Sequence, residues 1–310
     1  MSGVVSGFTV IFIVVGIGYL LGRSGVLGDH AVSVLARMVF FVCTPALMIT
    51  SLSTSDLSVV FSPTLAVASI SAVAVGALYF AVVRVLWRRT VPEAVIGALS
   101  SSYVNSVNLG LPIAIFVLDD ASFIAPLLLF QIMLYSPIAL VTLDLTALDP
   151  DRRGSLWRTV RTPLTNPIVI GGLLGLGLSL AGLHLPQPVF SPLDMLGQAS
   201  VPLALLAFGL SLTGVQVFQK GASPRRDIAL ASVLKMALMP AIAFALARWG
   251  FGMTGEALFA QVVIAALPTA QNVLVYATRY SRGEILARDS ALVTTLLSIP
   301  VIAVLAVLLT

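Results

Sequence analysis

The sequence predicts an all-α integral membrane protein: ten transmembrane helices laid out as two inverted five-helix repeats, with helices 4 and 9 broken near mid-span. Three observations lead there. Of the 310 residues, 58% are hydrophobic and only 10% charged, where a soluble globular protein carries about 25% charged residues. The apolar residues fall into ten runs long enough to cross a bilayer. Landmarks of the first half recur in the second at separations of 156 to 163 residues: Gly18 with Gly177, Pro45 with Pro202, Leu111-Pro112 with Leu267-Pro268, and Pro137 with Pro300. Each repeat holds an odd number of helices, so the second enters the membrane from the opposite side.

The runs are Val4–Gly22, Ala31–Ser51, Ser62–Leu86, Ala94–Leu118, Ala121–Leu148, Pro163–Gly182, Leu193–Leu212, Ile228–Ala247, Ala257–Tyr280 and Ile285–Leu309. The first follows no basic leader and is long enough to span, so it reads as a helix and not as a cleaved signal. The fourth ends in SSSYVNSVNLGLPIAIFVL, Ser100 to Leu118, where Asn105, Asn108, Gly110 and Pro112 interrupt an apolar stretch. In lipid every backbone polar group must be satisfied, so unwound backbone at membrane depth is tolerated only where protein or a water-filled cavity surrounds it. The break therefore reads as a binding site. The ninth run repeats the device in AALPTAQNVLVYATRY, Ala265 to Tyr280, with Pro268, Gln271 and Asn272. Interrupted segments at corresponding positions of two halves mark a site at the membrane midplane.

The loops after runs 1, 3, 5, 7 and 9 hold 14 of the 17 Lys and Arg residues, the opposite loops hold Arg248, and Arg37 and Lys235 lie inside runs. An excess of basic residues marks cytoplasmic loops, which places both termini on the extracytoplasmic side of a cell membrane crossed many times. The formal charge of +4 thus reports topology and not nucleic-acid binding. Cys43 is the single cysteine, which excludes an intrachain disulfide and a cysteine-built metal site. No cofactor is expected.

Asn105-x4-Gly110-x-Pro112 in helix 4, Ala266-Leu267-Pro268 followed by Ala277-x2-Tyr280 in helix 9, Thr44-Pro45 in helix 2 and Lys235-x4-Pro240 in helix 8 together resemble the auxin efflux carrier family of membrane transporters. The resemblance covers essentially the whole chain. It is closer to the bacterial type: the link 149–162 has 14 residues where long plant auxin exporters carry a large loop, and Val104 stands where they have a proline. The resemblance implies a scaffold of helices 1, 2, 6 and 7, often the homodimer surface, and a transport domain of helices 3–5 and 8–10 whose broken helices cross. Here the scaffold would be 1–61 with 163–213, and the transport part 62–148 with 214–310, joined by a cytoplasmic linker, 149–162. It also implies secondary transport, by alternating access, of a small organic anion: a mono- or dicarboxylate of the auxin, malate or malonate kind.

The residues themselves suit such a ligand. Breaking a helix exposes the N-terminus of its second half, with unpaired N–H groups and about half a positive charge. Two such ends would form an anion site, to which Asn105, Asn108, Gln271 and Asn272 add side-chain donors and acceptors suited to a carboxylate or a neutral amide. The plainer alternative is that these amides only cap the interrupted ends. Gly110, Pro112 and Pro268 shape the breaks and offer backbone to a ligand, and Leu109 completes the candidate set. Lys235, about two turns into helix 8, either snorkels back to the interface or reaches the crossing, where its ammonium neutralises carbonyl ends in place of a sodium ion or pairs with substrate. Arg37 has the same two readings, with snorkelling favoured. Gln131 and Tyr135 in helix 5 either line a cavity or make interhelical hydrogen bonds, with the hydrogen bonds favoured for each.

Intramembrane carboxylates serve proton and sodium carriers, and neither broken helix has one in its core. Glu93, Asp119, Asp120, Asp144 and Glu256 sit at or near helix ends; Asp144 is the one candidate proton carrier among them, with a solvated interfacial role favoured. Coupling to a proton or sodium ion stays open, and a coupled carrier or cation antiporter of the same architecture is the alternative. A channel would differ by transport that does not saturate. Against an enzyme, His30 and His184 both fall in loops, and the chain has no H-E-x-x-H pair, no Ser/His/acid set at membrane depth and no Walker glycine loop. A receptor lacks support, since no loop is longer than the 15 residues of 213–227.

Overall fold

The computed structural model describes residues 2–28, 30–54, 63–118, 121–146, 167–213 and 224–309. The linker 149–162, the Asp119-Asp120 pair and the side chain of Asp144 lie outside the described residues. The described chain is helical: α1 Ser2–Ser24, α2 Ala31–Thr54, α3 Pro63–Val85, α4 Val91–Ser102, α5 Ser106–Phe116, α6 over 121–146, α7 Pro167–Leu180, α8 Gln187–Ser211, α9 Arg225–Gly250, α10 Gly255–Ala265, α11 Asn272–Tyr280 and α12 Glu284–Leu309. Among the described residues five of these, α2, α3, α8, α9 and α12, are long and apolar enough to cross a membrane. Large apolar side chains such as Leu20, Phe41, Val275 and Leu308 stand exposed, as a lipid-facing surface requires.

Prolines set the local form of several helices. Wide π-type turns run over Val39–Cys43, Ser106–Gly110, Gln131–Tyr135 and Leu234–Leu238. Each is succeeded at once by an X-Pro step, at Pro45, Pro112, Pro137 and Pro240. Proline lacks an N–H, and its ring strikes the carbonyl four residues earlier. Widening one turn moves that carbonyl aside and lets the helix continue.

By contacts the chain forms two compact units. The first comprises Met1–Ser62, Val107–Leu129 and Pro163–Val215. In it α1 packs along the second half of α8, and α7 along the second half of α2. Both contacts depend on glycine: a Cβ on Gly18 would come within 2.5 Å of the Leu206 carbonyl oxygen, and one on Gly171 within 2.6 Å of that of Pro45. Near the matched Pro45 and Pro202, the buried hydroxyls of Thr44 and Ser200 hydrogen-bond at 2.8 Å. The helix α5 rests on α1 and α8.

The second unit comprises Pro63–Ser106, Phe130–Thr162 and Gln216–Thr310. Its core gathers Ile96 and Leu99 of α4, Leu143 of α6, and Val273 and Ala277 of α11 around Tyr103. The start of α4 is fixed by the Thr90 N–H donating to Glu93 Oε2 at 3.1 Å, with a proline in the first turn, a stop-and-start pattern that satisfies an otherwise orphaned donor. Beside it Arg89 donates twice to Asp227 of α9, Nε to Oδ1 at 3.1 Å and Nη2 to Oδ2 at 2.7 Å. That hydrogen bonding pushes the guanidinium pKa up.

Candidate functional site

Three serines end α4. Ser100 donates to the Ile96 carbonyl at 2.9 Å, and Ser101 and Ser102 donate to that of Ala98 at 2.8 and 2.6 Å. Such side-chain bonds compete with the helical ladder, and Tyr103 is already extended, with φ −82° and ψ 114°. The Ser106 N–H then donates to the Val104 carbonyl at 2.8 Å, a three-residue turn centred on Asn105 from which α5 begins. The second interruption has another cause. Pro268 can neither donate to a ladder nor allow Leu267 an α conformation, so α10 ends at Ala265 and helix resumes only at Asn272.

The two interruptions meet. Val104 lies opposite Thr269 in an antiparallel bridge. It is flanked by the Asn105 N–H donating to the Pro268 carbonyl at 2.8 Å and the Ala270 N–H donating to that of Tyr103 at 3.0 Å. Each break thus satisfies the other's backbone, which is what non-helical chain at membrane depth needs.

The carbonyl ends of the first halves, where the helix dipole is negative, are also served. Lys235 is wholly buried, and its Nζ donates to the Ala265 carbonyl at 2.7 Å and lies 3.3 Å from Met239 Sδ. The ammonium therefore reaches the interruption and does not run back to an interface, whereas Arg37 is exposed on α2. At the other helix end Thr269 Oγ1 donates to the Ser100 carbonyl at 2.5 Å. Gln131 of α6 donates from Nε2 to the Val104 carbonyl at 3.1 Å and accepts at Oε1 from Ser106 Oγ. Thr294 Oγ1 of α12 accepts from the Thr269 N–H at 3.1 Å.

A group of rings and hydroxyls adjoins the first interruption. The rings of Phe130, Tyr135 and Tyr103 stack at 5.6 and 5.9 Å. The Tyr103 hydroxyl hydrogen-bonds Ser136 at 2.7 Å, Ser136 reaches Tyr276 at 3.1 Å, and Ser102 reaches Tyr135 at 2.5 Å. Tyr135 therefore makes the interhelical hydrogen bond that its position in helix 5 suggested.

Of the sequence-predicted residues, Asn105 and Pro268 are joined through their backbones, with Lys235 bound three residues ahead of Pro268. Gln271 and Asn272 are exposed at the head of α11. There the Val273 and Leu274 N–H groups bond back to the carbonyls of Ala270 and Gln271. Asn108 is half-buried, and Leu109, Gly110 and Pro112 are buried, all within α5 and assigned to the first unit. Gly110 and Pro112 do not break the helix as expected. The break lies ahead of them, at 103–105, and Pro112 follows the wide turn Ser106–Gly110 inside α5, which moves aside the carbonyl that its ring would strike.

Sequence reasoning passed over Thr269, whose side chain closes the end of α4, and Thr294, whose side chain holds the second interruption. It also passed over two buried carboxylates: Asp227, and Asp289 of α12, which is fully buried with Arg288 Nε donating to it at 2.8 Å. A run of charges, Arg288-Asp289, near a loop reads as solvated. The signal that separates them is the polar file Ser290, Thr294, Thr295 and Ser298 on the same helix, all buried. Among the described residues no group of three or more His, Cys, Asp or Glu side chains is placed to hold a metal ion.

Over residues 4–306 the chain matches the family described as "Membrane transport protein". It is 24% identical over 290 residues to the "Putative malonate transporter" of Rhizobium meliloti (strain 1021), covering 91% of this chain and 88% of that protein. It is likewise 24% identical over 289 residues to the "Uncharacterized transporter YfdV" of Escherichia coli (strain K12), covering 87% and 86%.

Proposed function

Because this chain belongs to the auxin efflux carrier family of membrane transport proteins, and is a transporter and not an enzyme, we propose that it is a secondary carrier of a small organic anion, a mono- or dicarboxylate. In this reading ten helices form two inverted five-helix repeats, the termini are extracytoplasmic, and transport proceeds by alternating access. The scaffold parts 1–61 and 163–213 supply a homodimer surface on α1, α2, α7 and α8. The observation that carries the reading is the pair of interruptions joined backbone to backbone at Val104 and Thr269. Unwound chain is costly in an apolar medium, and a carrier site is the use that justifies it.

Asn105, Pro268, Gln271 and Asn272 are the proposed substrate residues at this pairing. Asn108, Leu109, Gly110 and Pro112 of α5 keep the same proposed role. Lys235 stands in for a coupling cation: its ammonium already satisfies the Ala265 carbonyl, which favours transport without sodium. One observation favours the coupled alternative, the fully buried carboxylate of Asp289 beside Arg288, since intramembrane carboxylates serve such carriers. The name of the Rhizobium relative makes malonate the first anion to try.

Thermal unfolding of the purified protein across carboxylates, amino acids and alkali cations tests the reading, because a ligand of the native state raises the melting temperature by mass action. Stabilisation by one carboxylate, lost in Asn272→Ala, is the expected result. Stabilisation by sodium alone would transfer support to the coupled alternative. A flat response to every anion would sink the substrate class.

A further inference from the structure

We propose that Gln131 and Thr294 are matched positioning residues that hold the two interruptions in register. The inference rests on the carrier reading only for its effect on transport. Both side chains are buried, at 2% and 0% exposure, and they act on the two residues that face each other in the bridge. Gln131 grips the Val104 carbonyl, and Thr294 receives the Thr269 N–H. Each stands six residues ahead of a matched proline, Pro137 or Pro300, and the 163 residues that separate the two prolines also separate Gln131 from Thr294. Each lies in the helix next in the chain after an interrupted pair, α6 after α4 and α5, and α12 after α10 and α11.

The chemistry at each position is specific. The Gln131 amide donates to Val104 and accepts from Ser106 at once, a combination that an ionised glutamate cannot supply and a methionine lacks altogether. It also ties the chain where it leaves the second unit, after Ser106, to the chain where it returns, at Phe130. Thr294 spends its own proton on the Ser290 carbonyl at 2.7 Å, which leaves an oxygen lone pair facing the Thr269 N–H. Serine keeps that arrangement and valine removes it without changing shape. The register of 103–105 on 268–270 fixes where α11 begins, and therefore where Gln271 and Asn272 stand. The two braces thus act on a ligand through the bridge and not by touching it.

Two readouts test the pair in Gln131→Met, Gln131→Glu, Thr294→Val, Thr294→Ser and the double variant Gln131→Met/Thr294→Val. The first is amide hydrogen exchange of the intact protein over 103–106 and 268–271. Gln131→Met and Thr294→Val are each expected to speed exchange on both strands about tenfold, with Gln131→Glu like Gln131→Met, Thr294→Ser like wild type, and α1 and α7 unchanged. The double variant is expected to be no worse than the worse single one, since both braces hold one bridge. Exchange that rises only on the strand each residue touches, or that adds in the double variant, overturns the matched role. The second readout is malonate uptake into proteoliposomes, where KM is expected to rise about tenfold with the maximal rate within about twofold. Wild-type protein that moves no malonate, with the exchange pattern as expected, would count against that substrate and leave the braces standing. Normal uptake with unchanged exchange in every variant would remove the braces and leave the carrier.

Discussion

At the second interruption the carbonyl end of α10 is closed by a buried ammonium, Lys235 on Ala265 at 2.7 Å, whereas at the first the carbonyl end of α4 is closed by a hydroxyl, Thr269 on Ser100 at 2.5 Å. The separation of 159 residues that relates Gly18 to Gly177 leads from Lys235 back to position 76, and that residue is a glycine. The space its Cβ would enter holds the Tyr135 hydroxyl and Ser102 Oγ. Where the second half places a lysine, the first places two hydroxyls. The helices that resume after the interruptions differ too. After the first, α5 buries Leu109, Gly110 and Pro112 and packs on α1 and α8; after the second, α11 opens on exposed Gln271 and Asn272.

Substitutions at four positions, with one control, probe this contrast, in falling order of their expected effect on stability. Lys235→Met removes the charge and leaves the Ala265 carbonyl buried without its donor, for a loss of about 3 kcal/mol. If the ammonium replaces a cation, adding sodium then restores part of the melting temperature; a variant that melts like wild type in both conditions would erase the electrostatic difference. Gly76→Ala presses a Cβ to within 2.9 Å of Ser102 Oγ and is expected to cost about 2 kcal/mol by overpacking. A control, Gly177→Ala on α7 with no neighbour inside 4 Å, should stay within about 0.5 kcal/mol, and denaturation of the two side by side separates overpacking from the bare change of glycine to alanine. Thr269→Val deletes the hydroxyl on Ser100 while keeping the shape, for about 1 kcal/mol, and Thr269→Ser should recover it. Asn272→Ala, at an exposed position, should leave stability within about 0.5 kcal/mol yet abolish saturable uptake. Unaltered uptake would move the site away from α11.

Much of this was legible in the residues. Pro268 inside an apolar run marks a break because a missing N–H and a restricted preceding residue are local facts. Asn105 was legible as part of the other break, though its main-chain N–H makes the pairing. Pro112 misled, since a proline looks the same in a sequence whether it ends a helix or follows a wide turn inside one. The depth of Lys235 could be counted, but not the side on which its ammonium would find an acceptor. Asp289 was hidden by Arg288 beside it, because adjacent opposite charges near a loop resemble a solvated surface until their helix is packed.

Hydropathy, charge bias and the recurring prolines are properties of neighbours along the chain, so the sequence by itself determined a multi-pass helical membrane protein with two interrupted runs and a family kinship. The partners at those interruptions were decided only by the tertiary structure. Lys235 finds Ala265 across 30 residues and Thr269 finds Ser100 across 169. A hydrogen bond at that range depends on which helix faces which, and that is fixed only when buried polar groups must all be satisfied together.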